Sequence, residues 1–283
     1  MSLAAFALSF LVGGVAGTAS GLLGIGGGLL MVPFLYFLMG SSSWSGLAVP
    51  LEYQAALAHA TSLAVIVPTA LSGLVTFRRM GVVPWSTVLP LGAAAALTAL
   101  LGARVAVELP TPFLKAAFGA FLLYSGARLL RRAPPTEDVP ATEGGIGRRR
   151  AWVGGGAIGF LSALLGVGGG IVAVPILIHW ARLELHRVVP ASIAIIVFAA
   201  PAGVLSYSLA GAGIGGLPPG SFGYVHLPSA LAMIPGAVLC APLGARWNQR
   251  MARGTLRPLF AALLLVVGVQ LVWVHGGPLL FGS

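Results

Sequence analysis

Phe10 to Leu35 reads FLVGGVAGTASGLLGIGGGLLMVPFL and Trp152 to Leu177 reads WVGGGAIGFLSALLGVGGGIVAVPIL; aligned without gaps, the two share 13 identities in 26 positions. Composition bias alone rarely gives that, so the chain reads as a tandem duplication. At the same offset of 142 residues, Leu101-Gly102-Ala103-Arg104 meets Leu243-Gly244-Ala245-Arg246, and Leu114, Phe118, Leu122 and Gly126 meet Leu256, Phe260, Leu264 and Gly268. Between them, at an offset of 130, Ser62, Ala64, Ile66, Val67 and Gly73 meet Ser192, Ala194, Ile196, Val197 and Gly203. Residues 1–131 form the first copy and 151–283 the second. The join, 132–150 (RAPPTEDVPATEGGIGRRR), is rich in Pro, Gly and charge, too polar for hydrocarbon, and reads as an exposed linker.

Of 283 residues, 58% are hydrophobic and 8% charged, too few charges to coat a soluble globule of this size. The solvent is a bilayer. Sixteen basic residues against six acidic ones give a net charge of +10, but the arginines gather at the ends of apolar runs, where membrane topology puts them, so nucleic acid is not the partner. A single cysteine, Cys240, allows neither a disulfide framework nor a two-thiol relay within one chain. The first 20 residues lack a basic leader and run on into more apolar sequence, which predicts a retained first helix.

Each copy holds five apolar segments: 3–22, 29–40, 55–77, 84–106 and 111–131, then 151–165, 171–181, 188–211, 224–246 and 254–275. The second of each is too short to cross about 30 Å of hydrocarbon at about 1.5 Å per residue, and reads as a half-helix. Whether the first two segments cross fully or form a re-entrant hairpin, three crossings remain. Each copy therefore changes sides an odd number of times, and the two insert in opposite orientation. The expected fold is all-α and polytopic, with two inverted repeats and Gly-interrupted half-helices. Arginines at 78–79, 128–132, 148–150, 182, 187 and 246–257 fall on one side under this count, which should be cytoplasmic together with the linker. Both termini then face outward from the inner membrane.

Gly24, Gly26, Gly27 and Gly28, and Gly166, Gly168, Gly169 and Gly170, interrupt the apolar runs at matched positions. Glycine at this density breaks a helix and exposes amides at the start of the following half-helix, a place suited to an anion. Loops entering from opposite sides would meet near the midplane. The competing reading is that these glycines only let helices approach closely. Ser20 and Ser162 lie four residues before the clusters; Thr61, Ser62 and Ser192 begin the third segments, with Ala191 where the first copy has Thr61. The site is therefore expected to be asymmetric, richer in donors on the first-copy side. His59 is the candidate for proton coupling. Arg104 and Arg246 are matched candidates for steering an anion, with snorkelling to the interface as the alternative; Glu108, four residues on, is placed to pair with Arg104. No acid lies deep in an apolar run, which argues against a cation pathway. His179, Glu184 and His186 offer only a weak spacing for a metal, and neither a metal nor a cofactor is expected. No G-x-S-x-G, no H-E-x-x-H and no membrane Asp supports catalysis.

The paired G-x-G-G-G clusters with trailing Pro33 and Pro175, the Ala60-Thr61-Ser62-Leu63-Ala64 run and the twin Leu-Gly-Ala-Arg motifs resemble the TauE/SafE family of sulfite and organosulfonate exporters. The resemblance covers nearly the whole chain except the linker. It implies a multi-pass inner-membrane carrier of sulfite, sulfoacetate or related sulfur-containing anions, with the Gly-rich segments mapping onto Gly24 to Gly28 and Gly166 to Gly170. The expected partners are thus a small anion, the bilayer and protons, and a homo-oligomer is compatible with the sequence. Other classes are a carrier of a different small anion, a non-transporting subunit that anchors a partner protein, and a membrane enzyme acting on lipid or a thiol carrier. The last lacks a nucleophile, an acid pair or a metal cluster.

Overall fold

The computed structural model describes residues 2–41, 46, 47, 49–131, 146–250, 262 and 265–273. In chain order the helices are α1 Leu3–Leu23, α2 Gly28–Gly40, α3 Leu51–Arg79, α4 Trp85–Glu108, α5 Thr111–Arg131, α6 Arg148–Leu165, α7 Gly170–His179, α8 Leu185–Ala210 and α9 Leu227–Arg250. Residues 265–273 are also helical. A two-residue hairpin, β1 Ser221–Phe222 against β2 Val225–His226, precedes α9. Most of the linker, the terminal residues and much of the last apolar segment lie outside the described residues.

Among the described residues five helices, α1, α3, α4, α8 and α9, are long and apolar enough to cross a membrane, while α2 and α7 have 13 and 10 residues. The protein is an all-α polytopic membrane protein. Its outward faces carry Leu, Val, Phe and Trp, as a lipid-facing surface requires.

α1 packs along α9 and α4 along α6; α4 also packs on α8, α9 on α3, and α3 on α8. Each of these contacts joins an element of residues 1–131 to one of residues 151–283, so the two copies interleave. Small residues make this packing tight. A Cβ added at Gly13, Gly17 or Gly21 of α1 would run into the α9 backbone at Met233, Ala237 or Ala241, and one at Gly155 or Gly159 of α6 into the α4 backbone at Leu91 or Ala95. The close-approach reading of glycine thus holds for the long helices. Side chains lock the interleaved elements further: Thr98 Oγ1 donates to the Gly156 carbonyl (2.9 Å) and Ser72 Oγ to the Val238 carbonyl (2.9 Å).

Several expected boundaries move: α3 begins at Leu51 rather than 55 and α8 at Leu185 rather than 188. The apolar run over 224–246 divides, because Gly223 at φ 54° starts a two-residue turn and α9 begins only at Leu227. Glycine first with no positive φ at Tyr224 is the pattern of a type II′ hairpin, and the short strands carry Tyr224, Val225 and His226 out of the helix.

Candidate functional site

α1 ends on Gly24 at φ 69° and α6 on Gly166 at φ 66°, both left-handed C-caps. The Gly24 N–H returns to the Ser20 carbonyl (2.9 Å), and the Val167 N–H to the Ser162 carbonyl (3.1 Å), which closes the helix ends. Gly27 and Gly169, again left-handed, then serve as N-caps of α2 and α7, and neither half-helix start has a side-chain cap. Three left-handed residues within four positions are affordable only to glycine, so each cluster exists to turn a full helix into a half-helix without a capping side chain.

The two turns touch. A Cβ on Gly26 would lie 2.9 Å from the Val167 carbonyl and 3.4 Å from Gly168 Cα; one on Gly28 would lie 2.6 Å from Val167 Cα. From the other copy, a Cβ on Gly170 would meet Ile25 and one on Gly168 would come 3.6 Å from Gly26 Cα. Outside this contact, Gly24 abuts Val189 of α8 and Gly166 abuts His59 of α3, two positions that match at the 130-residue offset. Ile196 and Ile66 likewise close over Gly26 and Gly168.

The serines lie in these walls, all buried. Ser192 Oγ donates to the Gly24 carbonyl (2.7 Å). Ser62, its counterpart, has no partner for its hydroxyl, and neither has Ser162, whose Cβ lies close behind Gly169. Ser20 is buried on the last turn of α1. Thr61 is drawn elsewhere: its Oγ1 accepts the His226 N–H of the hairpin (3.0 Å). His59 is fully buried, its Nε2 hydrogen-bonded to the Tyr36 hydroxyl of α2, with Phe118 of α5 packed on both rings. Of the polar side chains that α3 carries where α8 has Val189 and Ala191, His59 and Thr61 thus bond to Tyr36 and to the hairpin.

Arg104 and Arg246 are exposed on the outer faces of α4 and α9, away from the loop contact. Arg104 forms no ion pair with Glu108: among the described residues the ion pairs are those of Glu184 with His186 (3.4 Å) and Arg187 (3.8 Å). Glu108 instead lines a cavity of about 690 Å³ at the N-terminal end of α3, together with Glu52, Tyr53, Ala56, Val107, Thr111, Leu114 and Tyr224. Residues the sequence reading did not single out complete the region. Lys115 of α5 is buried and donates from Nζ to Gln54 Oε1 (2.7 Å), and His226 is buried with Nδ1 hydrogen-bonded to Ser229 Oγ (2.7 Å). A basic residue or a histidine inside an apolar run is itself the signal that could have found both.

A family model described as sulfite exporter TauE/SafE matches residues 9–271. The chain is 27% identical over 265 residues to a probable membrane transporter protein of Haemophilus influenzae, covering 93% of this chain and 97% of that protein. It is also 27% identical to the probable membrane transporter protein YunE of Bacillus subtilis (95% and 97% covered) and 28% identical to one of Methanocaldococcus jannaschii (93% and 93%). No solved structure matches it.

Proposed function

The chain belongs to the sulfite exporter TauE/SafE family, and on that premise we propose that it is a secondary carrier that exports sulfite or a small organosulfonate by alternating access. The observation that carries this reading is the pair of touching glycine turns. Each presents the N–H groups and positive dipole end of an uncapped half-helix, with the free hydroxyls of Ser62 and Ser162 beside them. An oxyanion accepts hydrogen bonds, and the two half-helix starts and the free hydroxyls supply donors. Gly24, Gly26, Gly27 and Gly28 with Ser20 and Ser192 form one side of the cradle; Gly166, Gly168, Gly169 and Gly170 with Ser162 and Ser62 form the other, and Thr61, bonded to the hairpin, stands outside it.

The repeats are inverted in this reading, so the turns meet at the bilayer midplane and rocking of one set of helices against the other opens the site to alternate sides. The arginine-rich ends and the linker lie in the cytoplasm, and both termini lie outside. The cavity at the start of α3 then opens outward, and its Glu52 and Glu108 carboxylates keep an anion from dwelling at the outer mouth. His59, whose backbone abuts Gly166, couples proton movement to transport. Arg104 and Arg246 draw anions toward the membrane surface.

The test is efflux of labelled sulfite from proteoliposomes, with and without an imposed pH gradient, with sulfate and a small sulfonate as competitors. Saturable efflux that responds to the gradient is expected, and Gly27→Leu or Gly169→Leu should abolish it while membrane insertion persists. Efflux no faster than from empty liposomes overturns the reading.

A further inference from the structure

Lys115 is the only lysine in the chain and, at 4% exposed, the only Lys, Arg, Asp or Glu among the described residues that is buried. Lipid does not explain that burial, because protein atoms alone cover the side chain. Its ammonium bonds the neutral Gln54 amide and lies 5.3 Å from the centroid of the Tyr36 ring. No carboxylate pairs with it, since the ion pairs among the described residues all belong to Glu184. An amide and an aromatic face offset only part of the cost of placing a cation inside a membrane protein. The missing component is a negative charge.

The position of Lys115 gives that charge an identity. Its helix neighbours Thr111 and Leu114 line the cavity at the end of α3. On its other side, Tyr36 bonds His59, whose backbone abuts the Gly166 turn. Lys115 therefore stands between the cavity and the paired glycine turns. The second copy carries Arg257 at the matching position, 142 residues on.

We infer that Lys115 is a binding residue of the carrier, supplying the counter-charge that the transported oxyanion neutralises on its way between the glycine turns and the cavity. This rests on the carrier reading above. Lys115 is a compact, strongly hydrated charge with three rotatable donors, one of them on Gln54, which suits transient capture of an anion better than a forked guanidinium would. Gln54 holds it in place while the site is empty.

The experiment measures the sulfite-dependent rise in melting temperature of the purified protein in detergent, at fixed pH and with chloride matching the ionic strength. The same variants are assayed for sulfite efflux from proteoliposomes. Lys115→Met removes the charge and keeps the apolar stem, so its ligand-free melting temperature should equal or exceed that of the unaltered protein, while its sulfite-induced rise is lost and KM climbs by at least about tenfold. Lys115→Arg should retain most of the rise. Lys115→Gln, which keeps a donor for Gln54, gives the same reading if the methionine variant does not fold. A lysine with a purely structural role would instead lower the ligand-free melting temperature and leave the rise and KM unchanged in Lys115→Gln, and that result overturns the assignment alone. An unaltered protein with neither a rise nor efflux overturns the carrier reading and this inference with it.

Discussion

Ser192 and Ser62 occupy matched places in the two copies but differ in what they bond: one hydroxyl closes on the Gly24 carbonyl, the other is buried without a partner. Replacement by alanine should therefore act differently at the two sites. Ser192→Ala loses a hydrogen bond and should lower stability by about 1 kcal/mol, read as a lower melting temperature. Ser62→Ala and Ser162→Ala remove buried hydroxyls that have nothing to satisfy them, so stability should hold or rise slightly while KM for sulfite increases about threefold to tenfold. If all three substitutions only destabilise, the serines are packing groups and the cradle needs another donor. The sequence disclosed these residues because the duplication aligns them. For Lys115 it held only the signal of a basic residue inside an apolar run, and the burial itself follows from Gln54 and Tyr36, which close over it from two other helices. It could not tell that Thr61 faces the hairpin, since that depends on where the His226 N–H arrives.

At the scale of the element, the hairpin before α9 has its own pH signature. His226 is buried in β2, outside the membrane-spanning helices, and burial pushes its imidazole down to about 4 from the ordinary 6.5. The folded state then binds fewer protons than the unfolded chain between those values, so the residue contributes no pH dependence above about 6.5 and costs stability as pH falls toward 4. By pH 4.5 the loss should reach about 2 to 3 kcal/mol. His226→Gln should flatten this part of the profile, seen as a smaller fall in melting temperature between pH 7 and pH 4.5 than in the unaltered protein; parallel profiles would show that the imidazole is solvated. The same scale separates what the sequence made plain from what it hid. Helix ends at Gly24 and Gly166, and starts after Gly27 and Gly169, followed from glycine clusters that stop a helix from either direction. The hairpin was hidden because one histidine among Tyr224, Val225 and Leu227 does not end an apolar run, and the turn before it rests on the positive φ of Gly223.

For the molecule as a whole, the interleaving of the copies constrains how it can move. Since α1 lies on α9 and α4 on α6, with glycines pressed against the facing backbone, the proposed transport motion should not rock either copy as a separate body but should carry the pairs α1 with α9 and α4 with α6 as units around α3, α8 and the two glycine turns. The sequence announced the duplication but not this exchange of partners, because an internal repeat is equally compatible with copies standing side by side. Motion of this kind should alter the cavity beside Glu52 and Glu108 without dismantling the helix pairs, and it can be followed with one thiol. Cys240 is the sole native cysteine, so replacing it by alanine gives a blank background into which Val107→Cys, on the cavity wall, is introduced. In intact cells a membrane-impermeant maleimide added outside should label Cys at this position, and saturating sulfite loaded inside should change the labelling rate several-fold. A thiol that reacts only in inverted vesicles would reverse the assigned orientation. A thiol that reacts from outside at a rate indifferent to sulfite would mean that this cavity keeps its form through the transport cycle, and that access to the glycine turns is controlled elsewhere.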